Sequence, residues 1–144
     1  VAGADDRWRT LADLVVDVKP TENLRLLLNG TYVQDRLPDA TGQDRTVRWG
    51  GVSLMGRYAF SEVFASALRG EAVFDPDGQI SLPNTGPLEL YTATWTLEAA
   101  ATKYLLFRLD SRADIASNAV FPTDSGTAEK TQITFTLGAV AKTN

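Results

Sequence analysis

Between Leu105 and Asp114 the chain places Arg108, Asp110, Arg112 and Asp114 on one parity and Phe107, Leu109, Ser111 and Ala113 on the other. Alternation with a period of two marks a strand whose two faces meet different surroundings. The signature recurs along the chain and predicts about seven strands, each reaching the roughly 9–11 residues that a tilted strand needs to cross a bilayer. The first runs from Trp8 to Val18, with Ala12, Leu14, Val16 and Val18 opposite Arg9, Asp13 and Asp17. The second, Leu24 to Gln34, sets Leu24, Leu26, Leu28, Gly30 and Tyr32 against Arg25, Asn29 and Thr31. The third, Val47 to Phe60, sets Val52, Leu54, Gly56, Tyr58 and Phe60 against Ser53 and Arg57. In the fourth, Val63 to Phe74, Phe64, Leu68, Ala72 and Phe74 oppose Arg69 and Glu71. The fifth carries Tyr91, Ala93, Trp95, Leu97 and Ala99 against Thr92, Thr94, Thr96 and Glu98. The alternation of Leu105–Asp114 is the sixth. In the last, Thr131 to Ala141, Ile133, Phe135, Leu137 and Ala139 oppose Gln132, Thr134 and Thr136.

The connections sort into two kinds. Pro20-Thr21-Glu22-Asn23, Ser61-Glu62 and Ala101-Thr102-Lys103 read as tight turns, whereas Asp35–Thr46, Asp75–Leu88 and Ala116–Lys130 read as long loops, rich in breakers. Arg48 and Glu89 alone break the charge alternation, and both stand at strand starts beside long loops, where an interface tolerates charge. The fold class predicted is all-β: an antiparallel, up-and-down transmembrane β-barrel.

Alternation by itself also fits a soluble up-and-down barrel with an apolar ligand inside. Three features turn the reading towards the membrane. Short and long connections alternate, as in barrels with short periplasmic turns and long external loops. Aromatics of the apolar parity gather at strand ends: Trp8, Tyr32, Phe74 and Tyr91 towards the long loops, Tyr58, Phe60 and Phe64 towards the turns. They are expected at the lipid interfaces. The charged parity mixes signs at i, i+2 in Arg69 with Glu71, Arg108 with Asp110 and Arg112 with Asp114, which suits a lumen where charges pair across strands. Arg25, Arg57, Arg69, Glu71, Glu98, Arg108, Asp110, Arg112 and Asp114 are therefore expected to line a pore.

Composition removes other classes more than it adds any. With 44% hydrophobic residues and a formal net charge of -4 over 144 residues, the chain has the balance of an ordinary single domain. No apolar run approaches the roughly 18 residues of a spanning helix. Cysteine and histidine are both absent, which removes disulfides, thiolate metal sites and the commonest general base. Serines such as Ser53, Ser66 and Ser111 have no base partner in sight, and Asp110 and Glu98 form no pair with hydrolase spacing. No enzyme is expected. Asp75-Pro76-Asp77-Gly78 lacks the further ligands of a calcium loop, because Gln79-Ile80-Ser81 does not continue the pattern; it reads as a turn. Val1-Ala2-Gly3-Ala4 has neither a basic start nor an apolar core, and no methionine begins it, so a processed chain or a segment of a longer one is expected. About seven strands, with a first strand descending from the long-loop side, would leave two edges open in lipid. The stretch is accordingly expected to be the C-terminal part of a larger barrel.

Several motifs, in order, resemble the OmpL-like β-barrel porins. They are Tyr58-Ala59-Phe60, Leu68-Arg69-Gly70-Glu71 leading into Phe74-Asp75-Pro76-Asp77-Gly78, Glu89-Leu90-Tyr91-Thr92-Ala93-Thr94, and Leu106 to Asp114. Val120-Phe121 and Thr131-Gln132-Ile133-Thr134 continue the likeness, which covers about the C-terminal two-thirds of the chain. The tail Val140-Ala141-Lys142-Thr143-Asn144 departs from it, with Thr143 where an outward aromatic is usual. The resemblance implies a bacterial outer-membrane barrel that works as a channel. The expected function is thus a passive path for small hydrophilic solutes, without a cofactor. Its expected partners are the lipid bilayer and those solutes rather than nucleic acid, with a homo-oligomer left open. A soluble ligand-binding barrel and a plugged structural barrel are the alternatives.

Overall fold

The computed structural model describes residues 8–38, 42–79 and 86–141. Seven long strands make one sheet: β1 (Arg9–Val18), β2 (Leu24–Pro38), β3 (Asp44–Ala59), β4 (Phe64–Asp75), β5 (Leu88–Thr102), β6 (Leu105–Ala116) and β9 (Thr131–Ala141). Between β6 and β9, β7 (Phe121–Pro122) and β8 (Ala128–Glu129) form a small separate hairpin, a piece of order inside what the sequence presents as loop. The order in the large sheet is β1-β2-β3-β4-β5-β6-β9, every neighbouring pair antiparallel, so the chain runs up and down without a crossover. Among the described residues the sheet is not closed; β1 and β9 each have a single partner there.

Three turns at one end share a device. A hydroxyl accepts from the backbone N–H two or three residues on: Thr21 from Leu24 (3.1 Å), Ser61 from Val63 and Phe64 (3.2 and 3.1 Å), and Thr102 from Tyr104 (3.1 Å). Such side chains mimic a backbone turn and close the chain in few residues. The third turn adds a slip of register at Ala100/Thr102, and Lys103 Nζ lies 4.7 Å from the centre of the Tyr104 ring.

At the other end one expectation fails. Asp35–Thr46 is not a long loop: Asp35, Arg36, Leu37 and Pro38 pair with Val47, Thr46, Arg45 and Asp44, and the connection shrinks to 39–43. The strict alternation of short and long connections is lost with it, since 39–43 is no longer than 19–23. The extension holds because its polar residues pair. Arg36 meets Asp44 at 3.5 Å, and Arg9 Nε donates to Asp35 Oδ2 at 2.8 Å from the facing strand. Pro38 sits at the last ladder position, where a missing N–H matters least.

Register makes the two faces explicit, because residues directly opposite across a pair point the same way. One row runs Leu28–Leu54–Gly70–Ala93, and the next row on the reverse face runs Asn29–Ser53–Glu71–Thr92–Asp114–Gln132. There is no thick two-layer core. Leu54, Leu68, Ile133, Phe135 and Leu137 stand open on the apolar face, whereas burial concentrates on the polar face at Val33, Val47, Ala65, Asp75 and Asp114.

Candidate functional site: a charged sheet face opposite an apolar one

All nine charged candidates fall on one face. Three successive rows of that face read Arg69–Thr94–Arg112, then Arg25–Arg57–Ala67–Thr96–Asp110, then Ala65–Glu98–Arg108, with the Glu71–Thr92–Asp114 row on the loop side. Every i, i+2 pair expected from the sequence forms. Arg69 bonds Glu71, Arg108 Nε reaches Asp110 Oδ1 at 3.0 Å, and Arg112 Nε lies 2.9 Å from both oxygens of Asp114.

On β5 and β6 a unit is built twice. Thr96 Oγ1 donates to Asp110 at 2.5 Å while Arg108 holds the same carboxylate; four residues on, Thr92 Oγ1 donates to Asp114 at 2.6 Å while Arg112 holds it. Each threonine is directly opposite its aspartate, so alternation at period two on both strands builds the repeat. A carboxylate accepts several bonds at once, which satisfies both acids without water.

Arg57 and Glu98 meet over β4, at 2.7 Å between Nη2 and Oε2. Their cross-strand neighbours on β4 are Ala67 and Ala65, both buried, and only such small side chains leave room for the bridge. Arg25 binds Asp17 in the two-pronged manner, at 2.9 and 2.5 Å. Asp13 accepts from Thr31 at 2.5 Å.

Asp17, Asp35, Arg9, Thr92 and Thr96 belong to this face without having been named as site residues. The spacing of Asp17 and Arg25 about the Pro20–Asn23 turn held the signal for one of them, because a hairpin closed there brings the two together. Asp35 lies beyond the apolar band, and the Arg9 guanidinium holds its carboxyl below the usual carboxylate range. Asp75 and Asp77 act on backbone: Asp75 Oδ1 accepts from Gln79 N at 2.7 Å, Asp77 Oδ2 from Arg48 N at 2.9 Å, and Gly78 takes a φ of 66° in the same turn. Among the described residues no group of three acids could hold a metal ion.

The reverse face carries most of the strand aromatics, Trp49 opposite Val33 being on the charged face. Tyr32, Tyr58, Phe64, Phe74 and Tyr91 share it; Phe60 stands in the β3–β4 turn and Trp8 directly before β1, both exposed. At the turn end Tyr58 and Phe60 make an edge-to-face pair (5.2 Å), and at the other end Phe74 and Tyr91 do the same (6.1 Å). The Tyr32 and Tyr91 hydroxyls donate to Gln34 (3.0 Å) and Glu89 (3.2 Å), so both phenols point towards the loop end. Arg48 and Glu89 do lie on this face at that end. Midway along β5, Trp95 Nε1 donates to Ser66 Oγ (2.9 Å), which in turn donates to the Thr96 carbonyl (2.9 Å). Tyr32, Tyr91, Trp95 and Ser66 of the apolar face thus find partners within the protein.

Against this two-faced sheet, a model of the family described as "Putative beta-barrel porin-2, OmpL-like" matches residues 2–142. The chain belongs to this porin family. The match spans almost the whole OmpL-like sequence and extends the likeness from the C-terminal two-thirds to the first strands. Neither the curated proteins nor the solved structures contain a match to this porin. The family accounts for an all-β, up-and-down sheet with a transmembrane barrel's polarity, and the geometry supplies what the family description does not, namely which side chains face which way.

Proposed function

We propose that this OmpL-like chain forms the wall of a passive, water-filled channel for small hydrophilic solutes in the bacterial outer membrane. One observation carries the reading. On β1 to β6 every mid-strand charge lies on one face, while Leu54, Leu68, Phe64, Ile133, Phe135 and Leu137 stand exposed on the other. In water that arrangement would leave a broad apolar surface unpartnered; around a lumen it places charge in solvent and apolar side chains in lipid. The nine charged candidates then line the pore, and the aromatics from Trp8 to Tyr91 form two girdles at the interfaces. Unpaired N–H and C=O groups along β1 and β9 would cost several kcal/mol each in lipid, so further strands complete the ring. Selectivity comes from pore radius, wall charge and the connections at the mouth, without chemistry on the solute.

The test is conductance of the full protein in a planar bilayer, with swelling of proteoliposomes in uncharged sugars as a second readout. Stable open steps together with sugar-dependent swelling are expected. Insertion with neither would make the barrel a plugged structural one, and folding to a soluble state without detergent would reverse the faces.

A further inference from the structure

The four ion pairs of β3 to β6 are neutral as pairs but layered. The guanidiniums of Arg57, Arg69, Arg108 and Arg112 keep 38 to 47% of their side-chain surface open, whereas the partner carboxylates keep 5 to 24%. The carboxylates lie against the wall, where Thr92 and Thr96 also donate to two of them, and the guanidiniums close over the top. Each guanidinium has five N–H donors, and among the described residues the pairing bonds use only Nε and Nη2, so the Nη1 donors are left for something else.

From this layering we infer that the proposed channel prefers small anions, chloride and small carboxylates or phosphates among them; the inference rests on the channel reading above. A solute travelling along the wall meets guanidinium before carboxylate, so the near charge outweighs the far one although the sum is zero. Arg69 and Arg112 share one row, Arg57 lies in the next and Arg108 in the one after, so guanidiniums recur at every step from the loop side towards the turns. A mobile anion can pass from one set of free donors to the next, which is how binding stays weak enough to permit release. The two more exposed acids of this face lie on β1 at the edge of the sheet, where Asp17 is held by Arg25 and Asp13 accepts from Thr31.

The zero-current potential of the full protein in a planar bilayer under a KCl gradient tests the inference. Chloride is expected to be favoured over potassium. In R69Q/R112Q the chloride-to-potassium permeability ratio should fall by about threefold or more, because Glu71 and Asp114 lose their cover. R69K/R112K should retain the preference, since charge rather than the planar fork sets it, and E71Q/D114N should retain or raise it. Open steps with potassium favoured in the unaltered protein would overturn the anion inference alone and leave the channel standing. No steps from protein that circular dichroism shows to be folded in vesicles would overturn both. The sign for the unaltered protein decides the matter even where a variant fails to fold.

Discussion

Leu54 and Ser53 are adjacent on β3 and hence at one depth, but they lie on opposite faces. Leu54 stands midway between Gly50, in the row of Tyr32 and Phe74, and Tyr58 at the turn end, so it marks the middle of the apolar band. Leu54→Arg would put a guanidinium at the bilayer midplane, at about 2–4 kcal/mol, whereas near an interface the same change costs about 0–1 kcal/mol. With a factor of ten for each 1.4 kcal/mol or so, the midplane variant should lose roughly 30- to 700-fold in its folding equilibrium. Ser53→Arg should stay within about 1 kcal/mol of the parent, because position 53 is directly opposite Glu71 and an opposite-charge cross-strand pair is mildly favourable. Ile115→Arg, on the apolar face at the loop end of β6, completes the series at the interfacial value. Guanidinium titration in lipid vesicles, followed by the fluorescence of Trp8, Trp49 and Trp95, reads all three. Equal costs for Leu54→Arg and Ile115→Arg would refute a lipid-facing band, since a soluble interior penalises charge without regard to depth. A greater cost for Ser53→Arg than for Leu54→Arg would invert the assignment of faces.

Other expectations rest on single contacts. A Cβ at Gly50 would stand 2.5 Å from the Thr31 carbonyl oxygen, so Gly50→Ala should lower stability by about 1–3 kcal/mol, seen as a lower midpoint of denaturation. Ser66→Ala strands the Trp95 indole N–H and should lose about 1–3 kcal/mol, while Trp95→Phe, which removes the donor itself, should lose less of this hydrogen-bond energy. Because the folded-state pKa of Asp35 is depressed, its stabilising pairing with Arg9 is present above the ordinary carboxylate pKa of about 4 and is lost as pH falls through the depressed value. Asp35→Asn should remove that acid-side part of the stability profile while leaving the neutral-pH fold intact by circular dichroism.

Most of the strand plan was legible because mid-strand charges keep to one parity, and in the last strand, which has none, leucine, isoleucine and phenylalanine alternate with threonine and glutamine. Thr131–Ala141 and the three hydroxyl-closed turns are where pattern and structure agree best. The β2–β3 extension was hidden because Pro38, Asp39 and Gly42 all signal a loop, yet the ladder needs only Asp35–Pro38 to find Asp44–Val47 opposite. The i, i+2 ion pairs were readable within one strand. The bridge from Arg57 to Glu98 was not, because it depends on the register of three strands and on two alanines beneath it. The layering of guanidinium over carboxylate belongs to the third dimension, and no one-dimensional pattern contains it.

The paired extension of β2 and β3 gives the molecule a skyline. From Tyr32 to Pro38 the hairpin climbs about 15 Å past the aromatic row, at roughly 3.3 Å per residue and a tilt near 40°, whereas β4 stops at Asp75, next to Phe74. The rim of the proposed channel is therefore uneven: a paired ribbon rises at β2–β3, while beyond β4 and β6 the chain passes into the longer connections 76–87 and 117–130. On the channel reading, an antibody or a phage fibre arriving at that end of the molecule meets this ribbon. Its tip can change sequence without disturbing the wall that solutes meet.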